Sequence, residues 1–375
     1  MKNLGSIVTF ILYFILGIIY KILILDNMIF SNNILLKLIV FFSILLVSMI
    51  VFNYIATIIH ESGHLMFGLL TGYKFLSFRI GSIFIYKDEI NNKIKVKKYT
   101  MAGTSGQCLL IAPDKPIEKL PYVLYNLGGS LLNIIFAIIF IVLFIFIPNK
   151  IIANIFMIIA AHNILLALLN GIPLKFPLID NDGYNAYSIS KSINAKIAFY
   201  NQLKLIEYTT KLVRLKEIDE KYFTNSSDAI LSSNMELTIE YYKIKRLFDE
   251  HRFDDAENLI SQIVYNKYLV GTYVNALMLD IIYIYLIKGN HELIKEIMSK
   301  EIEKLLKVKV FNLMILRFQY VYFLLYEQNE QKAQEVREYL SKHQHKYPYT
   351  QEVDSEVELM DIAKLKYEES KSSNL

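Results

Sequence analysis

Apolar residues run almost unbroken through the first 175 or so positions, then give way to a charged chain with helical spacing. Four stretches in the first part, 5–25, 38–59, 122–147 and 151–174, reach the roughly 20 apolar residues that a membrane-crossing helix needs. The first carries Lys21 alone, the second and third carry no charge, and the fourth has only the titratable His162. The first run is longer than the ~7–15 residues of a signal-peptide core and no small-x-small site follows it, so it reads as an anchor. Between the second and third spans the pattern changes. Positions 78–86 are rich in β-branched and aromatic residues, Ile94-Lys95-Val96-Lys97 alternates, and Asn91-Asn92 lies between them as a turn. That predicts a small membrane-associated β-hairpin, with Gly103, Ser105 and Gly106 in the loop that follows.

Beyond about Tyr184 the chain is Tyr-rich and nearly free of Gly and Pro. Segments 252–259, 290–297 and 329–336 resemble one another at spacings of 38 and 39 residues. Each reads as the start of the second helix of a helix–turn–helix pair, preceded by an aromatic-rich helix. The pattern is similar to degenerate tetratricopeptide repeats, whose period is about 34 residues; a generic helical bundle is the competing reading. The expected architecture is mainly α: a bundle of about four transmembrane helices with the hairpin over 1–184, and an all-α helical-repeat domain over 185–375.

Composition sharpens this picture. Of 375 residues, 54% are hydrophobic and 20% charged, with mean hydropathy +0.33. That is too apolar for an ordinary soluble chain and too charged for membrane spans alone. The lone Cys108 rules out a disulfide framework and a cysteine-based zinc site, and reads as a small buried apolar residue. A net charge of +4 without a basic block gives nucleic-acid binding no support. Lys and Arg crowd segment 73–120, while connections 26–36 and 148–150 hold only Lys150. Positive-inside then puts 73–120, both termini and the C-terminal half in the cytoplasm, in a multi-pass protein of the cell membrane.

The chemistry centres on His60-Glu61-Ser62-Gly63-His64. Residues i and i+4 share a helix face, so both imidazoles can reach one Zn²⁺ at ~2.0–2.1 Å, with Glu61 free to polarise a bound water. The motif interrupts a continuous apolar helix, where ionisable groups are costly and a functional site is the default reading. A capping or hydrogen-bonded polar cluster is the bland alternative. Zinc needs a third protein ligand. Where the chain leaves the last span it carries Asp180-Asn181-Asp182-Gly183, and either carboxylate could reach back; an Asx turn capping the next helix is the structural alternative.

These residues resemble the site-2 protease family of intramembrane zinc metalloproteases. The matching features, in order, are the His60–His64 pentapeptide with Gly68 and Gly72 after it, Gly129-Ser130-Leu131-Leu132-Asn133 within a span, Asn163 with Asn170-x-x-Pro173, and Asp182-Gly183. They cover 38–185. Ser130 stands where the family has proline, Tyr184 where it has a second glycine, and the stretch from Asn170 to Asp182 is long.

The resemblance implies His60, His64 and Asp182 as ligands of Zn²⁺, with Asp180 competing for the third place. It also implies Glu61 as catalytic base, and Asn133 and Asn170 as contacts to the substrate backbone or oxyanion. For the two asparagines, interhelical hydrogen bonding is the alternative. His162 has no counterpart in the family and reads as a hydrogen-bonding residue of the bundle. The implied activity is endopeptidase cleavage of membrane-embedded proteins or peptides within the lipid bilayer. A cytoplasmic protein partner is expected on the helical domain. A non-catalytic membrane scaffold using that domain is the competing function, and a transporter is disfavoured because four spans show no inverted repeat.

Overall fold

The computed structural model describes residues 4–25, 33–88, 93–100, 104–176, 180–225, 231, 233–267, 269 and 271–373. The chain is mainly helical, with one small sheet, and divides into two compact units. The first unit comprises residues up to Val96 together with Thr100–Lys196, so it runs past the expected boundary at 184; the second comprises Lys97–Tyr99 and Ile197–Leu375.

In the first unit, helices α1 (Leu4–Leu23), α2 (Ile34–Leu70), α3 (Tyr122–Phe146) and α4 (Lys150–Gly171) follow the four apolar runs. By length and composition all four can cross a membrane. Their outer faces carry large apolar side chains such as Phe10, Ile50, Phe146 and Ile151, at 66–77% exposure. Such a surface has no place in water and suits lipid. The ends are set by local chemistry. Asn33 and Asn149 cap α2 and α4, each accepting from two backbone N–H groups. Gly72 ends α2 at φ +96°, while Gly72 and Tyr73 donate back to Leu69 and Gly68 carbonyls.

Between α2 and α3 lie four strands, β1 (Lys74–Ile80), β2 (Ile83–Asp88), β3 (Lys93–Lys98) and β4 (Gly106–Ile111), in the order β3-β2-β1-β4. The expected turn at Asn91-Asn92 lies outside the described residues, although β2 and β3 flank it as sheet neighbours. Two details differ from expectation. The strand-rich stretch 78–86 is broken at Gly81, whose φ of +56° makes the β1–β2 corner. Gly106 belongs to a strand and not to a loop: it pairs with Ile80 as β4 runs antiparallel to β1. The hairpin is therefore half of a four-stranded sheet. The sheet buries Leu76, Phe84 and Leu110, and Leu110 packs on Gly68 of α2. α5 (Asp182–Lys191) packs against α3 and α4.

In the second unit, after α6 (Ile193–Thr210), helices pair as α7 (Asn234–Asp249) with α8 (Phe253–Ile263), α9 (Gly271–Ile287) with α10 (His291–Ile297), and α12 (Leu313–Val321) with α13 (Glu330–His343). α11 (Lys300–Leu305) and α14 (Thr350–Ser373) complete it. The turn before each second helix holds one left-handed residue at the equivalent place: His251, Gly289 and Gln328, at φ 58°, 73° and 52°. Leu277, Ile282, Phe248, Phe318 and Val321 fill the core. Within it Arg317 is fully buried, bonded to Asp280 at 2.5 Å and set against the Phe248 and Tyr283 rings. That pairing relieves the cost of a charge removed from water.

Candidate metal centre

Helical geometry alone places His60 and His64 on one face of α2, their Nε2 atoms 3.1 Å apart. The tertiary fold adds the rest. Helix α3 crosses α2 where two glycines meet: a Cβ on Gly63 would lie 2.3 Å from the Gly128 carbonyl oxygen. One residue on, a Cβ at Gly129 would lie 2.5–2.6 Å from ring atoms of His60. Only hydrogen fits at these places, so α3 rides close enough to hold both rings from behind.

Each ring is held at Nδ1. His64 Nδ1 donates to the Tyr125 carbonyl at 2.7 Å, and His60 Nδ1 donates to Asn133 Oδ1 at 2.9 Å. The orientation of Asn133 is itself determined. Its Nδ2 donates to the Ala56 carbonyl at 3.0 Å and to Asn163 Oδ1 at 2.7 Å, and Asn163 Nδ2 donates to the Ile159 carbonyl at 2.9 Å. A carbonyl can only accept, so the chain of bonds runs one way and assigns the proton of His60 to Nδ1. Both Nε2 lone pairs then face the same point.

Asp182, the first residue of α5, brings its Oδ2 to 3.0 Å from His60 Nε2 and 3.3 Å from His64 Nε2. Asn181 pins the connecting segment to the end of α4. Its amide donates to the Leu169 and Ile172 carbonyls, and its Oδ1 accepts from Leu174 and Tyr184 N–H. A Cβ at Gly183 would sit 2.4 Å from the Gly171 oxygen, so glycine is required for α5 to start there.

Two imidazole lone pairs and a carboxylate oxygen converging at 3.0–3.3 Å repel one another unless a proton or a metal cation lies among them. A tetrahedral zinc site with bonds of ~2.0–2.1 Å has ligand–ligand edges of about 3.3 Å. The three side chains could therefore hold one metal ion, with outer hydrogen bonds fixing both imidazoles. The His60 and His64 side chains are 7% and 10% exposed while Asp182 keeps 25%, so the open side of the cluster is the Asp182 side.

Among the described residues, His60, His64 and Asp182 are the group whose ligand atoms converge in this way; Asp180 is buried but outside it. Glu61 is buried beside them, its side chain against Gly106 of β4. Asn133 is fully buried and committed to His60, Ala56 and Asn163. Asn170 is half-buried, with its amide turned back to the Leu166 carbonyl. His162 stands apart, between Tyr20 Oη at 2.9 Å and Asn53 Oδ1 at 2.8 Å. Cys108 is buried in β4, and burial pushes its thiol well above the usual range.

Sequence reasoning gave no site role to Asn181, the Tyr125 carbonyl, Gly128 or Gly106. The position of Asn181 before a helix start was a usable signal. A backbone carbonyl and a glycine contact leave none. Comparison with protein-family models, curated proteins and solved structures finds no match to this chain.

Proposed function

We propose that this chain is a membrane-embedded zinc endopeptidase of the site-2 protease type, acting on membrane-spanning or membrane-inserted proteins or peptides. The observation that carries the reading is the convergence of His60, His64 and Asp182, with Glu61 in the same motif, on helices apolar enough to lie in lipid. A zinc ion held there supplies Lewis acidity toward the scissile carbonyl and lowers the pKa of water toward ~7.

The chain's own residues do the rest. Glu61 takes the proton of the attacking water and delivers it to the leaving amine as the C–N bond breaks. Asn133 and the Tyr125 carbonyl keep the two imidazoles in the ligating tautomer. With Asn133 committed to His60, contact with the substrate backbone falls to Asn170 and to the sheet. A substrate helix must unwind before its carbonyls can be attacked, and an extended segment is stabilised by pairing with a strand edge. β4 is an edge strand beside Glu61, placed to take such a segment.

The lysine-rich sheet segment faces the cytoplasm in this reading. Three helix pairs sharing a left-handed turn residue support a degenerate helical repeat in the second unit, a form that binds peptide segments or partner proteins.

Metal analysis and proteolysis of the full chain in detergent test the proposal. Zinc-loaded wild type and Glu61→Gln are incubated with membrane extract, and new protein termini are read by mass spectrometry. Both should hold about one zinc, and wild type alone should generate termini. Equal termini from the two, or zinc far below one per chain, would sink the reading and favour a scaffold.

A further inference from the structure

Arg79 lies on β1 and is 1% exposed. Burying a guanidinium is expensive unless its donors are satisfied and its charge does something useful. Its Nη1 donates to the Gly81 carbonyl at 3.0 Å and to the Thr104 carbonyl at 3.3 Å, and Nη2 reaches the Gly106 carbonyl at 3.5 Å. The same short span is tied twice more, by Gly81 N–H donating to the Ser105 carbonyl at 2.8 Å and by the Thr104 hydroxyl donating to the Gly106 carbonyl. One cation therefore gathers the β1–β2 corner and the first residues of β4 into a clasp.

The clasp rests on the proposed base. A Cβ at Gly106 would fall 2.6 Å from Glu61 Cγ and 2.6 Å from Glu61 Oε1, so the bare backbone of Gly106 is in contact with that side chain.

We propose that Arg79 is a positioning residue for Glu61: it draws the Thr104–Gly106 backbone onto the Glu61 side chain and holds its carboxylate in one rotamer beside the metal ligands. This inference rests on the protease reading. Arg79 donates to the Gly81, Thr104 and Gly106 carbonyls and acts through the Gly106 backbone. Removing it leaves the zinc ligands in place and lets the β4 end relax, so Glu61 spends only part of its time in the working position. Because the role is geometric, it belongs to turnover and not to substrate affinity.

The test uses the full-length zinc-loaded protein and a fluorogenic peptide built on the strongest cleavage found in the terminus screen. Arg79→Met should retain about one zinc per chain and lower kcat about 10- to 100-fold, with KM within about twofold. Arg79→Lys keeps the charge and part of the bonding, and should recover a fraction of the loss. Gly106→Ala, which pushes Glu61 from the same side, should lower kcat likewise. The double variant should fall little below the worse single one, since both act through one side chain.

If Arg79→Met does not fold, Arg79→Lys and Gly106→Ala carry the test. Undiminished kcat in the zinc-loaded Arg79 and Gly106 variants overturns this inference and leaves the protease reading standing. A loss shared equally by KM, kcat and zinc content overturns it in favour of a general structural role. Zinc-loaded wild type that cleaves nothing overturns the protease reading, and this inference with it.

Discussion

Replacing Asn133 with leucine removes the acceptor of His60 while keeping nearly the same volume. Three hydrogen bonds go: those to His60 Nδ1, to the Ala56 carbonyl and to Asn163 Oδ1. In an aqueous core, two orphaned buried groups would cost about 1–3 kcal/mol each. Inside a bilayer, interhelical bonds average about 0.6 kcal/mol, because the unfolded-in-membrane state finds other partners. The smaller scale applies here, so the fold should lose only about 2 kcal/mol and survive. The metal site should suffer more. Freed at Nδ1, the His60 ring can rotate or shift its proton to Nε2, and losses of this kind weaken metal affinity about 10- to 100-fold, or ~1.4–2.7 kcal/mol. Competition against a chromophoric chelator, on the full chain in detergent, reads that change directly. Asn163→Leu, one link further from His60, should weaken zinc less than Asn133→Leu. The reasoning is refuted if folded Asn133→Leu binds zinc within about twofold of wild type.

Two other outcomes follow from the same geometry and from the second unit. Asp182→Asn should lose tight zinc binding, while Asp180→Asn should keep it, because Asp182 alone of the two brings an oxygen to the imidazoles; the reverse ranking in zinc stoichiometry would move the third ligand to Asp180. Burial pushes the Glu352 carboxyl above its ordinary value of 4.5, partly offset by the Tyr347 hydroxyl that donates to it at 2.5 Å. A carboxyl raised on folding favours the folded chain at low pH and loses that contribution as pH rises from 4.5 through the raised value. Glu352→Gln should therefore flatten the decline of thermal stability as pH rises from 4.5 through the raised value, read by circular dichroism, and an unchanged slope would refute it.

Much of the first unit was legible because lipid-facing helices advertise themselves. An apolar run of about 20 residues has few alternatives, and α1 to α4 follow the four runs closely. The pairing of His60 with His64 was equally legible, since i and i+4 meet on any helix. The sheet was half legible. β-Branched and aromatic residues marked 78–86 and alternation marked 94–97, but Gly103, Ser105 and Gly106 looked like a loop, because glycine weakens a strand on propensity alone. It is tolerated at Gly106 because Glu61 occupies the space a side chain would need. The choice of Asp182 over Asp180 rested in the sequence only on the glycine that follows Asp182. Both lie at the same exit from the membrane, and the choice turned on Asn181 bracing the segment and Gly183 fitting against Gly171.

The amino-acid order by itself settles the apolar runs, the i, i+4 imidazole pair and the change to a charged helical chain near Tyr184, because each depends on neighbours a few positions apart. Tertiary structure alone decides which aspartate reaches the imidazoles, which nitrogen of His60 carries its proton, and that β4 lies against Glu61. These depend on contacts between residues 45 to 122 positions apart, which form only when helices pack through glycines and carbonyls that leave no periodic trace in the sequence.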